Sequence, residues 1–131
     1  MLIDLMGNKI RNFEDLECWK VGTELRRFVS QLVKTFPKEE QFDLTSQMKR
    51  ASRSVTHNIA EGYGRFHYQE NIQFCRQARG SLYELIDQFI VAFDEKYITN
   101  EELIKGKEQI NKSLALLNGY IKYLMKAKNE N

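Results

Sequence analysis

The stretch TSQMKRASRSVTHNIAEGYG, from Thr45 to Gly64, decides how this chain is read. At a helical period it carries three stripes. Leu44, Met48, Ala51, Val55 and Ile59 recur every three or four residues and make a narrow apolar seam that belongs against a core. Gln47, Ala51, Ser54, Asn58 and Gly62 make a second stripe of small and amide side chains. Ser46, Arg50, Arg53, His57 and Glu61 make a third, wholly polar stripe. A helix that needed only to be soluble has no need of so ordered a polar side. The ending Ala60, Glu61, Gly62, with Tyr63 and Gly64 behind it, is expected to stop the helix at a left-handed cap.

Outward from this stretch, 131 residues make one domain, large enough to bury a core without disulfides. Pro37 is the single proline, and seven glycines in a chain rich in Leu, Lys and Glu argue for long helices over strands and turns. Cys18 and Cys75 lie far apart in helical pattern and read as small buried apolar residues. With no signal peptide and no apolar run of spanning length, the expected compartment is the cytoplasm, with both thiols reduced.

The first dozen residues show no sustained period and are expected to form a flexible arm, 1–12. The first helix is expected from about Asp15 to Phe36, with Leu16, Trp19, Leu25, Phe28, Val29, Leu32, Val33 and Phe36 as a broad apolar face and Arg26 and Arg27 toward water. If buried there, Trp19 would cost ~3–5 kcal/mol on truncation to alanine. Pro37 ends this helix, and Asp43 or Thr45 can cap the second. A loop from Gly62 to about His67 leads to a third helix, Tyr68 to Asp94. Gly80 and Ser81 weaken its middle by ~1 kcal/mol, which a close backbone neighbour there would explain. Thr99 caps a fourth helix that repeats Leu103, Ile110, Leu114, Leu117, Ile121 and Leu124 at near-heptad spacing to about Ala127, before a frayed tail, 128–131. Four helices with short connections predict an all-α, antiparallel up-and-down four-helix bundle over residues 13–127.

Particular blocks add a resemblance. Phe36 to Glu40, Leu44 with Gln47, Arg50-Ala51 with Ser54, Asn58 to Gly62, and Ala78 to Ser81 with Glu84 follow one another in an order that resembles one family. It is the four-helix bundle family encoded in intervening sequences of bacterial large-subunit ribosomal RNA genes. Leu16 to Trp19 resembles the family's opening Leu-x-x-Trp. The chain departs from the family pattern at Lys49, where paired arginines are common, and at His57, which adds a titratable group. The resemblance implies a homopentameric ring without established catalytic activity. The family is also similar to the accessory bundle of diversity-generating retroelements, which binds nucleic acid and partners a reverse transcriptase.

Charge points to where function would lie. Residues 45–80 hold six basic side chains (Lys49, Arg50, Arg53, Arg65, Arg76 and Arg79) against two acids, Glu61 and Glu70. These six and His57 are the candidate nucleic-acid-binding set, because arginine forks match phosphate oxygens and a ring would multiply each subunit's few charges into a belt. The competing reading pairs the arginines with Glu61, Glu84 and Asp87 as structural ion pairs in a structural or adaptor oligomer with no nucleic-acid ligand. A third reading sets Arg50 and His57, two helical turns apart, as phosphate holder and general acid or base, a spacing similar to that of helical-bundle ribonucleases. The cysteines and histidines lack paired short spacing, so no metal or cofactor is expected. Gly62 and Gly64 read as a helix stop, since no strand or lysine completes a phosphate loop. Phe66, Tyr68, Tyr97, Tyr120 and Tyr123 read as filling the bundle's ends and subunit contacts. The expectation is a non-enzymatic, self-associating bundle with a basic nucleic-acid face.

Overall fold

The computed structural model describes residues 2–3 and 7–130. Four helices follow in order: α1 (Glu17–Leu32), α2 (Leu44–Gly64), α3 (Tyr68–Asp94) and α4 (Asn100–Glu130). Each packs on its neighbour in sequence, and α1 closes the ring of contacts against α4. That is the expected up-and-down bundle, and its centre is the fully buried set Leu25, Val29, Met48, Val55, Ile59, Leu82, Phe89, Ile110 and Leu117. All five residues of the α2 seam are buried.

The ends of the helices show which local signals mattered. The Thr99 hydroxyl accepts the Glu102 N–H at 3.1 Å, while the Glu102 carboxylate accepts the Thr99 N–H at 2.8 Å. This reciprocal box satisfies two otherwise orphaned donors and starts α4 at the expected place. The helix then runs on to Glu130, so the residues expected to fray from 128 are helical as far as they are described; residue 131 lies outside the described residues. α1 is shorter than expected, because its last turn tightens into a 3₁₀ turn at Val33–Thr35 before Pro37. At the start of α2, neither Asp43 nor Thr45 caps with its side chain; the Glu40 carboxylate accepts the Leu44 N–H instead, at 3.3 Å.

Two glycine readings reverse. Gly62 does not stop α2: it is buried inside the helix, where a Cβ would lie 2.7 Å from Asn71 Oδ1 and 2.9 Å from Phe74 Cβ. The chain turns after Gly64 through Phe66, a non-glycine residue at φ 59°. Gly80, expected at a close backbone approach, is exposed and would place a Cβ in open space. The tightest approaches at the described glycines are instead at Gly62 and at Gly106, where the Phe89 ring occupies the space a Cβ would need. The chain leaves α3 through Lys96, also left-handed (φ 64°), with Lys96 N–H bonded to Phe93 O and Tyr97 N–H to Ala92 O, both at 2.9 Å.

Of the arm 1–12, residues 1 and 4–6 lie outside the described residues. Ile3 pairs with Lys9 in an isolated antiparallel bridge, and Leu2 and Ile10 pack against the core. Trp19 is only half-buried and meets Phe13 edge-on at 5.4 Å, so the cost expected of a buried tryptophan does not apply. Among the described residues no helix is long and apolar enough to cross a membrane.

Candidate nucleic-acid interface

α2 carries Arg50 and Arg53 exposed on its outer surface, and its two flanks meet different neighbours. On the flank toward α3, the small stripe closes the interface. Ser81 Oγ lies 2.9 Å from Ser54 Oγ, Asn58 Nδ2 donates to Ser54 O at 2.9 Å, and Gly62 receives Asn71 and Phe74. The shallow groove left above this seam is lined by Gln47, Arg50, Ala51, Ser54, Ser81 and Glu84. It holds one cation and one anion.

On the flank toward α1 the side chains are long and charged. Gly22 lies against Thr56, where a Cβ would come within 3.1 Å of its methyl, and this contact sets the register of the antiparallel pair. One turn further along, residues 26–30 come alongside 49–53. A groove of about 270 Å³ opens there, lined by Arg26, Arg27, Ser30, Lys49, Ser52 and Arg53. Four of its six lining residues are cationic and the other two carry hydroxyls. Ser52 is buried and donates to Lys49 O at 3.0 Å, which leaves the groove's floor polar but satisfied.

The candidate set therefore divides. Lys49 and Arg53 share the α1 groove, whereas Arg50, adjacent to them in the helical projection, lines the groove toward α3 beside Glu84. His57 is exposed, and no hydrogen bond or ion pair orients its ring among the described residues. Arg65 lies 4.0 Å from Glu61 and 3.8 Å from Glu70 and stands 5.1 Å from the centre of the Phe74 ring. Its charge is locally balanced. Arg79 turns to α4, donating to Asn118 Oδ1 at 3.0 Å. Arg76 is exposed on α3 and lines neither groove. Among the described residues, no carboxylate lies within 4.0 Å of Lys49, Arg50, Arg53, Arg76 or Arg79. Of the acids expected as ion-pair partners, Glu61 takes Arg65 and Glu84 accepts from Gln88 Nε2 at 2.9 Å; Asp87 pairs with no arginine among the described residues.

Arg26 and Arg27 are the residues that reading along the sequence misses. On α1 alone they are solvated positions of an amphipathic helix. The only earlier signal was the short connection to α2, which forces an antiparallel neighbour and brings one end of each helix beside the other.

Both cysteines are buried, and burial pushes the thiols of Cys18 and Cys75 up to about 12. They are inert as nucleophiles at neutral pH. Burial likewise raises Tyr120, whose hydroxyl accepts from Asn71 Nδ2 at 3.0 Å. Among the described residues no group of three or more His, Cys, Asp or Glu side chains converges on a point that could hold a metal ion.

A family model described as 23S rRNA-intervening sequence protein matches residues 14–119. A search of curated proteins found no match.

Proposed function

The chain belongs to the 23S rRNA-intervening sequence protein family, and from that premise we propose that it is a non-enzymatic, self-associating bundle that binds RNA or DNA through the outer face of α2. One observation carries this reading. Lys49 and Arg53 stand together on that face with no carboxylate within 4.0 Å among the described residues, although the chain holds 18 acidic residues. Like charges left unneutralised strain a folded domain slightly, and their natural complement is a polyanion. Arg50 and Arg76 extend the positive surface along α2 and onto α3.

Self-association, as the homopentamer the family resemblance implies, would repeat these charges around a ring. Its support is the outer surface of α3, where Tyr83, Ile90, Val91 and Phe93 are exposed and Gly80 presents no side chain. Sedimentation at micromolar concentration should give a multiple of the 15.5 kDa chain; a mass of one chain defeats this part of the reading.

Binding is tested by titrating labelled RNA and DNA at several salt concentrations. Log affinity should fall against log salt by ~0.9 per duplex phosphate engaged and ~0.7 per single-stranded one. Arg53→Ala should weaken binding alike for unrelated sequences and flatten the slope by about one contact. His57→Ala should leave binding unchanged, and wild type should not cleave RNA. Cleavage by wild type that disappears in His57→Ala would replace this reading with the ribonuclease one.

A further inference from the structure

We infer that the groove between α1 and α2 is a phosphodiester-binding subsite in which Arg26 and Arg27 close on the backbone from the side opposite Lys49 and Arg53. The inference rests on the nucleic-acid reading above and names the part of the surface that grips. Two properties of the groove point to this ligand. Its lining is two arginines from each side save one lysine, with two serines and no acid, no amide and no aromatic ring. Its four cations offer donors that suit phosphate oxygens, and the lining gives nothing on which a base could stack. The groove toward α3 has the same volume, about 270 Å³, so the charge of the lining and not its size sets this groove apart. Finally, its cations come from two helices, so the charge density exists only in the folded pair.

The neighbouring groove on the other side of α2 is the internal contrast. There Arg50 has Glu84 beside it, and the serines are bonded to one another. A polyanion laid along α2 gains from one flank and gains little from the other. The register follows: the backbone lies along the α1–α2 seam. Base contacts play no part in the groove, so recognition there is independent of sequence.

The test measures binding of the full chain to fluorescein-labelled single-stranded RNA, single-stranded DNA and duplex DNA. The variants are Arg26→Ala/Arg27→Ala, Arg26→Lys/Arg27→Lys and Arg50→Ala, with circular dichroism as the control for folding. Removing Arg26 and Arg27 should weaken binding on the order of 10- to 100-fold on whichever probe binds wild type, and reduce the salt slope by about two contacts. The lysine pair should restore the slope but recover only part of the affinity, because the fork is lost. Arg50→Ala should cost less than the alanine pair. If the alanine pair binds as wild type does while Arg53→Ala is impaired, the groove proposal falls and the nucleic-acid reading stands. If wild type binds no probe at low salt, both fall. Preferential binding of wild type to phosphatidylserine vesicles, lost in the alanine pair, would reassign the groove to a lipid headgroup and overturn the proposal.

Discussion

The two flanks of α2 belong to one helix and are built on opposite principles. Toward α3, serine, asparagine and glycine let the helices approach until their side chains bond or touch: Ser54 with Ser81, and Gly62 under Asn71 and Phe74. Toward α1, Lys49 and Arg53 line a groove with Arg26 and Arg27, four cations and no acid, where the groove toward α3 sets Arg50 with Glu84. Both flanks leave a groove of about 270 Å³ at the surface, so what differs between them is the charge of the lining and not the space.

The largest expected effect is alkaline and reports on the core that both flanks share. Cys18 and Cys75 are buried beside the packed helices, and their thiols are pushed up to about 12. The folded state holds protons that the unfolded chain has already released. The stability they contribute is therefore fully present below the ordinary thiol value and lost as pH rises toward 12. The expected slope is a loss of about 1.4 kcal/mol per pH unit for each thiol above pH ~9. Urea titrations from pH 7 to 11 measure it, and Cys75→Ala should flatten the slope whatever it does to the neutral-pH midpoint. A flat profile in wild type would show the thiols reachable by water.

Gly62→Ala tests the packed flank directly. Alanine favours a helix over glycine by roughly 1 kcal/mol, yet a methyl here meets Asn71 and Phe74 inside 3 Å, so a net destabilisation of about 1–3 kcal/mol is expected. A raised denaturation midpoint would mean that α2 and α3 are less closely apposed than described. Gly80→Ala sharpens the contrast, since its methyl enters open space and the gain in propensity is unopposed within the bundle. A gain of ~0.5–1 kcal/mol is expected in thermal melts. If Gly80→Ala lowers the sedimenting mass instead, that surface is where copies meet.

The smallest effect belongs to the charged flank. Arg27→Ala should change folding stability by no more than about 0.5 kcal/mol, because the side chain is exposed and forms no ion pair among the described residues. A loss well beyond that would make the groove a structural network, and the separation of the two flanks would fail.

What the sequence determined by itself is what local period and local hydrogen bonding can determine. The seam Leu44, Met48, Ala51, Val55, Ile59 is buried as its spacing required, α3 runs from Tyr68 to Asp94 as expected, and Thr99 starts α4 through a box made with Glu102. These depend on residues within a few positions of one another, so the fold class was legible. The candidate site was legible only in part. Lys49, Arg50 and Arg53 read as one stripe, but which cations share a groove depends on which helix lies on each side of α2 and on their register. Tertiary structure also decided the glycines: Gly62 and Gly80 look alike in a sequence, and only the neighbour's position makes one a contact and leaves the other open. Arg26 and Arg27 came to line a groove with Lys49 and Arg53 for the same reason. Charge repels or attracts through space, and only the packing of α1 against α2 brings those four cations to line one groove.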